Sequence, residues 1–146
     1  MGFKIGERMT RRESREKAFQ IIFGMTFNDN NAEESILFAI EDENSLFDEF
    51  SVNLINTVYK YREPIDLKLE PYLRGWSINR ISKVSLAILR LSCAQLFYWN
   101  EIDIEPVERV EKIVINESVE LAKKYGCDDD YSFINGILGS MVRGES

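Results

Sequence analysis

The sequence predicts an all-α fold, a compact single-domain bundle of about seven helices, and three observations lead there. First, Ile81 to Trp99 spreads Ile81, Val84, Leu86, Ile88, Leu89, Leu91, Leu96, Phe97 and Tyr98 around nearly every azimuth of a wheel turning about 100° per residue. That pattern marks a helix enclosed by neighbours. Second, the flanking segments carry apolar stripes at helical spacing, and none sustains the period-two alternation of a half-buried strand. Third, the links are short and no internal repeat is present, which points to a bundle and not a solenoid. A chain of 146 residues is the size of one domain and buries enough surface for a core without staples.

Residues 1–9 read as a loose leader, with the domain running over 10–146. Thr-Arg-Arg-Glu at 10–13 fits a capping box, the Thr10 hydroxyl meeting the amide three residues on and Glu13 reaching back. The helix it opens runs to about Phe27, with Ala18, Phe19, Ile22 and Met25 on its apolar face, and stops at Asn-Asp-Asn-Asn. Two amphipathic helices follow: Ala32 to Asp42 with Ile36, Leu37 and Ile40, and Leu46 to Arg62 with Phe47, Phe50, Leu54 and Val58.

The next helix begins with Pro64 in its first turn, where proline is tolerated, and Pro71 should kink or divide it. Gly-Trp-Ser at 75–77 breaks the chain before the central helix. There Lys83 and Arg90 fall nearly on one line, so Arg90 sits at a seam and needs a carboxylate; Glu117 or Glu120 of the following helix is the expected partner. That helix, Val107 to Tyr125, turns Val114, Ser118, Leu121, Ala122 and Tyr125 inward and Asn116, Glu120, Lys123 and Lys124 outward. Lys123 and Lys124 suit its C-terminus, and Gly126 suits a left-handed cap. Asp128 to Asp130 then caps a last helix, Tyr131 to Val142, with Ile134, Ile137, Leu138 and Met141 inside.

Composition excludes several functions. The chain has no histidine, which removes Ser-His-Asp and Cys-His catalysis and the commonest metal ligand. No glycine loop suited to cradling phosphate is present. The expectation is a protein that is not an enzyme and carries neither cofactor nor metal. Cys93 and Cys127 form neither a paired framework nor a metal-spaced cluster, so reduced thiols in the cytosol are expected. No N-terminal apolar run resembles a signal peptide. Arg90 divides the central stretch, leaving neither half near the roughly 20 residues of a membrane span.

Net charge is −7, but residues 1–17 hold six cations against three carboxylates, a local +3, so the remainder carries −10. A cluster of arginines on an acidic body can bind phosphate at one place while the rest repels it. Arg11 and Arg15 lie one turn apart with Arg12 beside them, and three guanidinium forks could hold successive phosphates. The same cluster also fits a solvated helix start, although cations there oppose the helix dipole. Phe133, in the first turn of the last helix at the edge of its apolar face, could stack on an unpaired base or fill the core. Asn135 and Gly136 have poor helix propensity mid-helix; Gly136 could permit close packing and Asn135 an outward hydrogen bond. Glu101, Asp103, Glu105, Glu108 and Glu111 look like a solvated face.

Five stretches carry a family resemblance. They are Arg-Arg-Glu-Ser-Arg-Glu-Lys-Ala-Phe-Gln at 11–20, Glu-Pro-Tyr-Leu at 70–73, Ile-Leu-Arg-Leu at 88–91, Ile-Asn-Glu-Ser-Val-Glu-Leu-Ala-Lys-Lys-Tyr-Gly at 115–126, and Phe-Ile-Asn-Gly-Ile-Leu at 133–138. In this order the chain resembles the NusB transcription antitermination family from Thr10 to Val142, the last two stretches being the specific ones. The resemblance implies an all-helical protein that binds boxA-type single-stranded RNA with the ribosomal protein NusE, inside an RNA polymerase antitermination complex serving rRNA operons.

By position, the resemblance implies that Arg11, Arg12, Arg15, Tyr72 and Phe133 face RNA, and that Phe23, Phe27 and Ser85 meet NusE. The chain departs from the family pattern in several places. Glu13 interrupts the arginine run, Asp128 to Asp130 is more acidic than the usual link, and Ser85 stands where an acidic residue is common. Residues 108–111 look inserted, and Gly139 replaces a usual acidic residue. The acidic body also leaves open a helical protein-interaction scaffold of the same fold with little RNA affinity. A third likeness, to the N-terminal domain of certain rRNA cytosine methyltransferases, comes without room for a catalytic domain.

Overall fold

The computed structural model describes residues 9–28, 34 and 47–144. The expected helix with Ile36, Leu37 and Ile40 lies outside the described residues, as does the leader up to residue 8. Among the described residues are seven α-helices and one 3₁₀ turn: α1 (Arg11–Asn28), α2 (Glu49–Lys60), α3 (Arg62–Leu69), the 3₁₀ turn Glu70–Leu73, α4 (Lys83–Phe97), α5 (Trp99–Ile102), α6 (Val110–Tyr125) and α7 (Asp128–Arg143). No strand occurs among them.

Local chemistry sets most of the boundaries. At α1 the capping box forms as the spacing requires: the Glu13 amide donates to Thr10 Oγ1 at 3.1 Å and the Thr10 amide to Glu13 Oε1 at 3.0 Å. Asp48 caps α2 by accepting from the Ser51 amide at 2.9 Å, and Ser82 caps α4 by accepting from the Ser85 amide at 3.0 Å. Pro71 divides its segment as expected, α3 giving way to the 3₁₀ turn. Directly after that turn Arg74 (φ 51°) and Gly75 (φ 89°) are both left-handed, which ends the helical run sharply.

Helix α4 is the hub, packing against all six other helices among the described residues. Ser85 to Leu89 and Leu91 to Gln95 are buried without a gap, so the all-round apolar pattern reports true enclosure. Around α4 stand Ala18, Phe19 and Ile22 from α1, Leu54, Ile55 and Val58 from α2, and Ile134, Ile137 and Leu138 from α7, all in one cluster. Polar atoms inside are paired: the Ser92 and Ser118 hydroxyls meet at 2.6 Å between α4 and α6, so that one donates across while the other donates to a carbonyl of its own helix, Ile88 for Ser92 or Val114 for Ser118. No helix among the described residues is long and apolar enough to cross a membrane.

Several expectations are corrected. Arg90 does not reach Glu117 or Glu120. It forms a two-pronged pair with Asp66 of α3, Nε to Oδ1 at 2.9 Å and Nη2 to Oδ2 at 2.8 Å. The seam it occupies is that of α3 and α4, so the carboxylate comes from the helix before α4. Gly126 is extended (φ −107°, ψ −172°), not left-handed. A Cβ there would meet Asp130 Oδ2 at 2.7 Å and the Ala122 carbonyl oxygen at 2.9 Å, so glycine serves close approach and not handedness. The acidic run lies inside α7, whose N-cap is Cys127, and of the three aspartates it is Asp130 that reaches back to the cap, accepting from the Cys127 amide at 2.7 Å. Among the described residues nothing lies near the missing side chain of Gly136, so the glycine serves no close packing there.

Candidate nucleic-acid interface

The arginine start of α1 divides into three environments. Arg12 is the outward member, its side chain 73% exposed, yet Nε lies 3.2 and 3.1 Å from the two Glu117 oxygens and Nη2 lies 3.0 Å from Oε2. The hydrogen bond and charge of Glu117 raise the Arg12 pKa, keeping the guanidinium charged. Arg11 is half exposed, donates to Asp103 at 3.0 Å, lies 3.8 Å from Asp48, and covers the Phe50 ring at 4.4 Å.

Arg15 is different: the residue is only 5% exposed, and Nε donates to Gln95 Oε1 of α4 at 2.6 Å. Burial pushes its pKa down, and Glu117, 3.9 Å away, works against that shift. The expected row of three guanidinium forks is thus two at the surface and one inside. The physical reason is depth along the helix: Arg15 continues the i, i+3, i+4, i+7 stripe of Ala18, Phe19 and Ile22 that packs on the core, whereas Arg11, on nearly the same line, lies one turn further out at the helix end.

Arg12 opens onto a groove of about 620 Å³ bounded by α6 and α7, whose walls include Asn116, Lys123, Tyr131, Asn135 and Gly136. Lys123 Nζ stands 5.6 Å above the Tyr131 ring, so a cation and an aromatic are held together there. Glu117 and Glu120 line the same groove, a negative element within it. Asn135 and Gly136, the pair with poor helix propensity at mid-helix, are exposed in this groove.

On the other side of the first turns of α7, Phe133 is half-buried against the core and lines a second cleft with Trp76 and Arg80. One portion of Phe133 packs inward and the rest shows, so it does not fill the core outright. Tyr72, also half-buried, sits on the 3₁₀ turn, which packs against α7. Asp130 fastens the start of α7 to the start of α4 by accepting from the Ser82 and Ser85 hydroxyls, each at 2.8 Å. Burial raises the Asp130 pKa, but the Cys127 amide and the two hydroxyls outweigh it and leave the carboxyl below its ordinary value.

The expected partner residues do not share one surface. Phe23 and Phe27 extend a ladder of rings along α1: Phe19 to Phe23 at 5.7 Å and Phe23 to Phe27 at 5.0 Å between centroids, with Phe27 59% exposed. Tyr125 backs the ladder at 4.8 Å from Phe19 and donates to Glu16 at 2.6 Å. Ser85 is only 1% exposed, held beneath Asp130.

Residues assigned no part in this surface from the sequence include Glu117, Lys123 and Tyr131 in the groove and Trp76 and Arg80 in the cleft. Trp76 carried a usable signal, a large aromatic placed directly after a glycine in a helix break. Glu117 carried none, because nothing in spacing pairs α6 with α1.

Comparison with known proteins now bears on this surface. The family model described as NusB family matches residues 12–143. A transcription antitermination protein NusB of Acetivibrio thermocellus is 39% identical over 137 residues, covering 92% of this chain and 90% of the relative. The corresponding protein of Macrococcus caseolyticus is 34% identical over 140 residues, covering 94% and 100%. Among solved structures, NusB of T. maritima superposes with a TM-score of 0.79 at 28% identity, covering 95% of this chain and 94% of that one. A crystal structure of antitermination factors NusB and NusE in complex with dsRNA gives 0.78 at 25% identity, covering 92% and 96%.

Proposed function

The chain belongs to the NusB family, and on that premise we propose that it is a transcription antitermination protein binding boxA-type single-stranded RNA together with the ribosomal protein NusE. It acts in the cytosol within an RNA polymerase antitermination complex that sustains transcription of rRNA operons. Its work is binding, not catalysis. One observation carries the placement of RNA: Arg12, at the start of α1, and the first turns of α7 border a single groove.

The physical sequence of events follows from the pairs present. A phosphate approaching Arg12 exchanges with the Glu117 carboxylate, replacing one charge-assisted hydrogen-bond partner with another. Arg11 makes the same exchange by leaving Asp103. Arg15 stays inside and holds the first turn of α1 on α4 through Gln95, so the two outer arginines are presented from a fixed backbone. Beyond the groove, the exposed portion of Phe133 takes an unpaired base, with Tyr72 on the adjoining turn. A single strand suits this surface because an aromatic edge can reach only bases that are not already stacked in a duplex. NusE meets the exposed end of the ring ladder at Phe23 and Phe27.

Two variants separate charge from stacking. Arg12→Ala should weaken every RNA sequence about equally and flatten the salt dependence by about 0.7 in log affinity against log salt, the value of one single-strand phosphate contact. Phe133→Ala should lose roughly 1 to 3 kcal/mol with the slope intact. Filter binding over a salt series measures both, and two variants that bind as the parent does would remove the groove from the RNA path.

A further inference from the structure

We infer that the cleft between Trp76 and Phe133 is a nucleobase subsite of this chain, with Trp76 supplying a stacking face; the inference rests on the RNA reading given above. The cleft, about 290 Å³, is lined by Trp76, Arg80, Ile81 and Phe133, over a floor of Ser82, Ser85 and Asp130. Its floor is fixed, since Asp130 holds both serines and the Cys127 amide. Its outer wall is also fixed. The left-handed pair Arg74 and Gly75 turns the backbone, the Trp76 amide donates to the Leu73 carbonyl at 3.1 Å, and the Arg80 amide donates to the Ser77 carbonyl at 2.9 Å. A tryptophan so placed is 57% exposed, a large apolar surface given to solvent that the fold itself does not need.

The chemistry of the walls selects the occupant. Two aromatic side chains and a guanidinium offer flat faces of the kind that hold an unstacked base. Asp129 and Asp130 line the same cleft, so a phosphate is repelled and the neutral base enters in preference to the backbone. Phe133 lies in the same first turns of α7 as Tyr131 and Ser132, which face the groove of Arg12, so a strand bound there can reach the cleft by crossing one helix. With stacking on Trp76 as well as Phe133, one base is held from two sides.

The test uses the full chain with NusE and a short single-stranded boxA-type RNA. The chain has two tryptophans, and W99F leaves Trp76 as the single one, excited selectively over the tyrosines at the red edge of the absorption band. Titration should quench Trp76 emission, an RNA with one abasic position at the bound base should abolish the quench, and W76A should weaken RNA affinity about fivefold or more, with W76F restoring most of it. Unchanged RNA affinity of W76A together with unchanged Trp76 emission would overturn the subsite while leaving the RNA reading standing. Loss of NusE binding by W76A with RNA affinity retained would overturn it in favour of a protein contact. Absence of RNA binding by the parent protein, with NusE present, would overturn the underlying reading and the subsite with it.

Discussion

Glu117 decides how the arginine start behaves. It holds Arg12 with both oxygens and stands 3.9 Å from the buried Arg15, so one carboxylate faces both the outer cation proposed to meet phosphate and the one that stays inside. An exposed pair of this kind is weak in solution, which makes exchange with phosphate inexpensive, but its charge still opposes an incoming anion over a Debye length of about 8 to 10 Å. Glu117→Gln should therefore raise RNA affinity about two- to fivefold at low salt, with the gain fading at high salt. A fall in affinity, measured by filter binding, would mean that Glu117 preorganises Arg12 and does not compete with phosphate. The same groove shows why acidic composition alone misleads: the carboxylates near the arginines are partners in place, not a uniform repulsive field.

At the scale of elements, the fold turns on how α4 is fastened to its neighbours. Asp66 and Arg90 join α3 to α4 with two parallel hydrogen bonds, both side chains largely shielded. Arg90→Met would leave the Asp66 carboxylate without its partner, at a cost of roughly 3 kcal/mol, the low end for a broken buried pair. The melting temperature should fall by about 10 °C. An unchanged melting temperature would show that water already serves both groups.

The helices themselves were legible because periodicity and caps are local: Thr10, Pro71 and the enclosed α4 behave as their spacing demands. What escaped is every feature set by the approach of two elements. The partner of Arg90, the burial of Arg15 against Gln95, the extended backbone at Gly126 and the seat of Ser85 under Asp130 all depend on which helix faces which. A single sequence does not encode that choice in any nearby spacing. Of the surface proposed for RNA, the two outer arginines and Phe133 could be singled out from the sequence, whereas Trp76 and Glu117 gain meaning only once α1, α6, α7 and the 74–82 loop stand together.

For the whole molecule, the decisive property is that α1 serves two surfaces. Its first turn presents Arg11 and Arg12, and its last turns end in the ring ladder in which half-buried Phe23 leads out to exposed Phe27. Ordering α1 against one partner lowers the cost of ordering it for the other, so RNA and NusE should strengthen each other's binding, by the same factor in each direction. The acidic remainder then confines RNA to this one face. The most direct measurement is a titration of a short boxA-type single strand over a series of salt concentrations, with and without NusE. Binding should be tighter with NusE present, with a log–log salt slope of about −1.4 for the two outer arginines. A protein without RNA affinity at low salt even when NusE is present would contradict the account and favour a helical scaffold that binds protein alone.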